Sequence, residues 1–323
     1  MSLTKPHLTN SQLLFIKKSR QDIITILSLK DKRIILFVGP CSIHNTAEAL
    51  DYAEKLKELQ KIVTDKILLV MRVYVEKPRT TTGWKGFMID PDLNGKQDVE
   101  KGILQTQDLL SQITDLEVPI ATEFLHPLFC QFTKEYVSWG CIGARTVESQ
   151  SHRELASSFN FAIGFKNATN GDIQLAANAI QSARDSHSIV TLENNHKYAI
   201  EKSTGNTQTH IILRGGKTPN YDELSIHNAL QLSQEAKGLP SIVIDCSHAN
   251  SQKDYTKQPE IFHSLIQTIT SKKKGIKGIM VESSLQEGNQ KIAPNLTPGV
   301  SITDSCISWD TTKKLIMSAY EKL

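Results

Sequence analysis

The chain has 323 residues, 39% of them hydrophobic and 22% charged, with 37 Lys plus Arg against 34 Asp plus Glu for a net charge of +3. That is enough apolar material for a large core, and the charge is too mild to imply a nucleic-acid partner. No apolar run approaches the roughly 18 residues of a membrane span.

Residues 1–33 form an extension with a helix-like stretch near 10–28. From residue 34 onward, short apolar runs alternate with amphipathic ones. The spacing predicts strands at 34–38, 67–73, 119–124, 141–144, 161–165, 210–213, 241–244 and 278–281. Helices are expected near 46–62, 98–113, 127–137, 148–158, 171–184, 221–236, 256–271 and 311–322. Runs this apolar belong to a parallel sheet covered on both faces. Eight β/α units over 34–323 predict an α/β fold, a closed (β/α)8 barrel, with a doubly wound open sheet as the alternative. No GxGxxG follows a strand, which weighs against a dinucleotide fold. Residues 187–209, with Asn194-Asn195 and a Gly205-Asn206 turn, read as a hairpin inserted before the sixth strand.

The five cysteines are an odd number and include no CxxC pair. The N-terminal MSLTKPHLTN is polar and lacks a signal-peptide core. Both point to a reducing, cytoplasmic setting. The one tight basic run, Lys272-Lys273-Lys274, reads as a solvated helix end.

The segment 70–87, VMRVYVEKPRTTTGWKGF, begins as a strand and then delivers Arg72, Lys77, Arg79 and Lys85, with Pro78 among them and Thr80, Thr81 and Thr82 behind. Cations clustered at the end of a buried strand make sense as a cradle for a multiply charged anion. In a β/α barrel the active site lies at the carboxyl ends of the strands. Those ends supply Cys41, then Arg72 with Lys77 and Arg79, then Glu123, Arg145, Lys166, Arg214, His248 and Glu282. Asp304 lies on the loop before the last helix. Cys41, His248, Glu282 and Asp304 are metal-ligand types whose mixed softness suits Mn²⁺, Fe²⁺, Co²⁺ or Zn²⁺. The cations Arg72, Lys77, Arg79, Arg145, Lys166 and Arg214 would repel one another unless anions lie between them, which implies phosphorylated substrates.

Taken singly, each residue has a plainer reading. Cys41 is by default a small buried hydrophobe, His248 a hydrogen-bonded core histidine, Lys166 a salt bridge or a Schiff-base lysine, and Arg145 a brace for a helix end. A Cys246–His248 thiol pair has nothing else to support it. The coincidence of so many at strand ends favours the functional reading.

The motifs GPCSIH, MRVYVEKPRTTTGWKG, GARTVESQSHRELAS, GFKNATNGD, HIILRGGKTPNY, IDCSHANSQKD, GIMVESSLQEGNQ and SITDSCISW occur in unbroken order from about residue 34 to the C-terminus. Together they closely resemble 3-deoxy-D-arabino-heptulosonate 7-phosphate (DAHP) synthases of the first type, the Phe/Tyr/Trp-sensitive subgroup. The resemblance implies condensation of phosphoenolpyruvate with erythrose 4-phosphate at a divalent metal, the entry step of the shikimate pathway, in a homodimer or homotetramer. It implies metal ligation by Cys41, His248, Glu282 and Asp304. It puts the phosphoenolpyruvate carboxylate on Arg72 and Lys166 with Lys77 nearby, its phosphate on Arg145 and Arg214, and a water beside Glu123. It assigns the erythrose 4-phosphate phosphate to Arg79 and Thr80, with Lys77, Pro78 and Asp304 lining the rest of that sugar. Glu123, His248 and Lys77 are its proton-transfer candidates.

The alternatives are the sister synthase that uses arabinose 5-phosphate, and a non-catalytic phosphosugar-sensing barrel. The segment before the first strand is about twenty residues shorter than in feedback-regulated members. Asn160-Phe161-Ala162, Ile189 and Glu201 depart from the usual effector pocket, so weak or absent feedback by aromatic amino acids is expected. The resemblance also places Cys306 close to Cys41, which makes oxidative pairing of the two an expectation.

Overall fold

The structure is a computed structural model that describes residues 6–192, 197–271 and 275–323. The predicted Lys272–Lys274 helix end and the Asn194-Asn195 part of the hairpin lie outside those residues, as does the start of the polar N-terminal stretch.

Helix α1 (Asn10–Leu27) leads into strand β1 (Ile34–Gly39), and the alternation then runs α2 (Thr46–Val63), β2 (Ile67–Arg72), α3 (Val99–Asp115), β3 (Ile120–Glu123), β4 (Trp139–Ile142), α4 (Gln150–Ser157), β5 (Ile163–Lys166) and α5 (Gln174–Arg184). An antiparallel pair follows, β6 (Ser188–Leu192) with β7 (Tyr198–Lys202). The chain then completes β8 (Thr209–Leu213), α6 (Glu223–Glu235), β9 (Ile242–Asp245), α7 (Gln258–Thr270), β10 (Ile276–Glu282) and α8 (Trp309–Lys322). Among the described residues the parallel strands close in the order β1-β10-β9-β8-β5-β4-β3-β2, so the predicted barrel forms and the open-sheet alternative does not.

The barrel strands are buried along almost all of their length, Glu123 and Lys277 being the half-buried exceptions, because they serve two cores. One lies between the sheet and the helices and takes residues such as Leu36, Leu69, Ile211 and Ile244. The other fills the barrel with Ile35, Phe37, Leu68, Val70, Ala121, Trp139, Cys141, Ile212, Val243 and Met280. The period of two along each strand separates these sets. It also turns Arg72, two residues beyond Val70, and Asp245, two beyond Val243, inward at the carboxyl ends.

Helix α1 closes the opposite end. Thr9 and Gln12 form a capping box at its start. Its Ile23, Ile26 and Leu27 belong to the barrel-interior cluster. Arg20 anchors it by donating to the carbonyls of Val137 and Lys134, and Ser241 Oγ donates to the Leu27 carbonyl. A plugged amino end leaves the carboxyl end as the open mouth.

Two sequence expectations change. The helix near 127–137 is only a 3-10 turn at Phe129–Phe132. Pro127 precedes it, and Phe132, Tyr136 and Val137 are spent on filling the core between β3 and β4 rather than on one helical face. Strand β4 begins two residues earlier than expected because Trp139 is an interior residue, 4.2 Å ring to ring from Phe37. Arg145 consequently lies three residues past the strand, exposed on the following loop.

Candidate active site

A cavity of about 250 Å³ sits at the carboxyl ends of the strands. Its wall includes Arg72, Lys77, Pro78, Arg79, Glu123, Arg145, Lys166, Arg214, His248, Glu282 and Asp304. Two candidates are not on that wall. Cys41 is fully buried behind it, and Thr80 is exposed on the loop outside. Lys85 is also outside and meets Lys77 only through the backbone, its carbonyl accepting from Lys77 N at 2.9 Å.

Tight backbone joins let the elements meet here. Gly39 ends β1 with φ +147°, and a Cβ there would stand 2.8 Å from the Arg72 carbonyl oxygen. Glycine therefore allows β1 to turn toward Cys41 directly over Arg72. Gly143 follows β4, and a Cβ there would lie 2.1 Å from Glu123 Oε1, so the missing side chain is the space the carboxylate occupies.

Three cations have partners inside the protein, two of them carboxylates. Arg72, fully buried, donates from Nη2 to Glu282 Oε1 at 3.0 Å, and its guanidinium lies 4.1 Å from the centroid of the Tyr74 ring. Lys77 Nζ donates to Cys41 Sγ at 2.8 Å and to the Cys41 carbonyl at 3.0 Å. Lys166 Nζ pairs with Asp245 at 2.9 Å. Burial alone would discharge Lys77, but Cys41, Glu282 and Asp304 outweigh it and raise its pKa. Burial pushes the Cys41 thiol up to about 11, and the Glu282 charge adds to that. Asp245 is fully buried, a penalty that Lys166 and His248 more than offset, so its carboxyl is held well below its usual range.

The remaining cations, Arg79, Arg145 and Arg214, have no carboxylate partner among the described residues. Arg214 Nε is buried without a hydrogen bond. Burial lowers the Arg214 pKa, and the like charge of Arg145 lowers it further.

One Cys41, one Glu282 and one Asp304 ligand-type atom all lie within 4.8 Å of one another, a grouping suited to a metal ion. His248 is not in that trio, but its Nε2 stands 3.9 Å from Glu282 Oε1. The donor set fits a divalent ion: a sulfur, two carboxylates and an adjacent imidazole, with Lys77 and Arg72 offsetting their charge. Glu282 is held in place by Gln258, whose side chain bonds both its backbone N–H (2.8 Å) and its carbonyl (3.1 Å).

Sequence reasoning missed Asp245, Gln258 and Lys253, the last two on the cavity wall. The inward alternation along β9 was a usable signal for Asp245. Gln258 carried none, since its role comes only from the packing of α7 beside β10.

The sequence profile of the DAHP synthetase I family matches residues 9–317. The chain belongs to that family. Over 311 residues it is 42% identical to the Tyr-sensitive phospho-2-dehydro-3-deoxyheptonate aldolase of Escherichia coli K12, spanning 95% of this chain and 87% of that one. Over 303 residues it is 44% identical to the Trp-sensitive aldolase of the same strain, spanning 93% and 87%. The solved phospho-2-dehydro-3-deoxyheptonate aldolase of Francisella tularensis SCHU S4 superposes with a TM-score of 0.95 at 41% identity, covering all of this chain and 97% of that one. This DAHP synthase family member has no described helix long and apolar enough to cross a membrane.

Proposed function

We propose that the chain is a 3-deoxy-7-phosphoheptulonate synthase. It joins phosphoenolpyruvate to erythrose 4-phosphate, giving 3-deoxy-D-arabino-heptulosonate 7-phosphate and inorganic phosphate at the start of the shikimate pathway. The observation that carries this reading is the charge pattern of the mouth. Arg72, Lys77 and Lys166 have internal partners, whereas Arg145, Arg214 and Arg79 await anions from outside.

In this reading Arg145 and Arg214 take the phosphate of phosphoenolpyruvate, and Arg72 and Lys166 take its carboxylate. Arg79, with Thr80 beside it, takes the phosphate of erythrose 4-phosphate. Pro78 and Asp304 line that sugar, and Lys77 lies between the two substrates. Cys41, His248, Glu282 and Asp304 hold one divalent ion of the Mn, Fe, Co or Zn type. When bound, that ion supplies Lewis-acid activation of the aldehyde carbonyl. The cations bring two mutually repelling anions together, a proximity and electrostatic contribution.

Carbon 3 of the enol phosphate bonds to the aldehyde carbon, and the aldehyde oxygen gains a proton. Water adds to carbon 2 and gives up a proton. The resulting hemiketal phosphate then breaks its carbon 2–oxygen bond and releases phosphate. Glu123, Lys77 and His248 are the proton-transfer candidates of this reading.

The same reading makes the protein cytoplasmic and a homodimer or homotetramer. The outer face of the hairpin supports assembly, since Val190, Tyr198 and Ile200 are 62%, 78% and 79% exposed there. Incubating the protein with phosphoenolpyruvate and either erythrose 4-phosphate or arabinose 5-phosphate, and measuring phosphate release, tests the assignment. Release with erythrose 4-phosphate is expected. Release only with arabinose 5-phosphate would assign the sister activity, and release with neither would leave a sensing barrel.

A further inference from the structure

Asp245 ends β9 and pairs with Lys166. Its surroundings do more than balance charge. Asp245 Oδ2 lies 2.9 Å from Lys166 Nζ and also 2.9 Å from His248 Nδ1. Its Oδ1 accepts from the Ser247 backbone N–H at 3.0 Å and from Ser247 Oγ at 2.6 Å. Ser247 Oγ in turn stands 2.7 Å from His248 Nδ1.

Counting donors settles where the imidazole proton sits. A carboxylate offers only lone pairs. The single hydroxyl proton of Ser247 is committed to Asp245 Oδ1, so Ser247 Oγ also faces Nδ1 as an acceptor. Two acceptors around one ring nitrogen require that nitrogen to carry the hydrogen. In the neutral ring Nε2 then carries the lone pair; it makes no hydrogen bond among the described residues and stands 3.9 Å from Glu282 Oε1.

The backbone is bent to allow this. His248 has φ 58°, in the left-handed region that non-glycine residues rarely occupy. The bend folds the imidazole back onto Asp245, the last residue of its own strand, while aiming Nε2 across the mouth.

We infer that Asp245 is the positioning residue that fixes His248 with its proton on Nδ1 and its Nε2 lone pair toward the Cys41–Glu282–Asp304 group. His248 is thereby a dedicated ligand rather than a proton carrier, which narrows the proton-transfer candidates to Glu123 and Lys77. The inference rests on the metal-dependent reading given above, and it extends that reading to a residue outside the ligand set.

The test has two arms, both on the full chain. In the intact protein, stripped of metal and held at a pH where the His248 ring is neutral, nitrogen-15 spectra of the histidine rings, assigned with His248→Gln, should show the Nδ1-protonated tautomer for His248. Adding Zn²⁺ should shift its Nε2 resonance. An Nε2-protonated ring overturns the inference without any variant having to fold.

In the second arm, calorimetric titration with Mn²⁺ compares the wild type, Asp245→Asn and Ser247→Ala. The Asn amide can turn an N–H toward Nδ1 and force the other tautomer. Asp245→Asn should therefore weaken Mn²⁺ binding by about 10- to 100-fold, as loss of a ligand-orienting carboxylate does. Ser247→Ala should weaken it by less than about threefold, because Oδ2 still holds the ring. Unchanged affinity in a folded Asp245→Asn protein, or equal losses in the two variants, overturns the inference. A wild type that neither binds metal nor turns over would instead undo the functional reading.

Discussion

Gly143→Ala separates the chemistry of the mouth from the stability of the barrel. A Cβ at this position would sit 2.1 Å from Glu123 Oε1, whereas ordinary contacts begin near 3.4 Å, so the carboxylate must retreat by more than 1 Å. Gly143 has no left-handed backbone to lose, and Glu123 makes no ion pair among the described residues. The fold should therefore lose less than about 1 kcal/mol, a drop in Tm of no more than about 2–4 °C. A displacement of that size at a reacting centre costs about 10²-fold in rate, or about 2.7 kcal/mol of transition-state stabilisation. Steady-state phosphate release should show a loss of that order in kcat/KM, and thermal melts should show little change. Gly39→Ala is the contrasting case, because its Cβ would meet the Arg72 backbone at φ +147° and should unfold the barrel. If Gly143→Ala retains kcat/KM within about threefold of wild type, Glu123 does not act from the position seen here. A fall in Tm of about 10 °C or more would make Gly143 a scaffold residue.

Other outcomes follow from the same contacts. Glu76 is buried beside Lys77, and burial pushes its carboxyl up to about 8. Its folded pKa lies above the unfolded value of 4.5, so stability is full below that pH and is lost as pH rises toward 8. Glu76→Gln should remove that slope and stabilise the protein at pH 8 by on the order of 3–5 kcal/mol in denaturant titrations; an unchanged slope would refute the assignment. Arg79→Ala should raise the KM for erythrose 4-phosphate about tenfold or more while sparing that for phosphoenolpyruvate, and Arg214→Ala should do the reverse. Parallel effects on both substrates would contradict the division of the mouth into two anion sites. Phe, Tyr or Trp at submillimolar concentration should inhibit turnover by less than half. Stronger inhibition would show that the changes at Asn160-Phe161-Ala162, Ile189 and Glu201 leave an effector site intact.

The barrel was legible because its strands are continuous apolar runs and its helices are amphipathic, so the two periods alternate without interruption. The mouth was legible for a related reason. A polar residue that closes an apolar strand has no core to join, and Arg72, Glu123, Lys166 and Glu282 each end a strand in this way. Asp245 ends β9 in the same manner, but it carries an ion pair and a ring contact that arise only once His248, three residues on, folds back beside it. Pairing was not legible. Whether a cation is spent on an internal partner, as Lys166 is on Asp245, or left open, as Arg145 is, depends on distances across the barrel that no single strand encodes. The same holds for Thr80, which follows Arg79 in sequence yet faces solvent. Ile189 and Glu201 face each other across the hairpin, a pairing that their separation in sequence did not show.

Metal dependence of the condensation tests the account most directly. The purified protein, dialysed against EDTA, should consume neither phosphoenolpyruvate nor erythrose 4-phosphate. Adding back Mn²⁺ or Zn²⁺ should restore equimolar consumption of both and release of one phosphate per condensation. Full turnover after chelation, with no metal remaining by elemental analysis, would contradict the assignment of Cys41, His248, Glu282 and Asp304 as one metal centre.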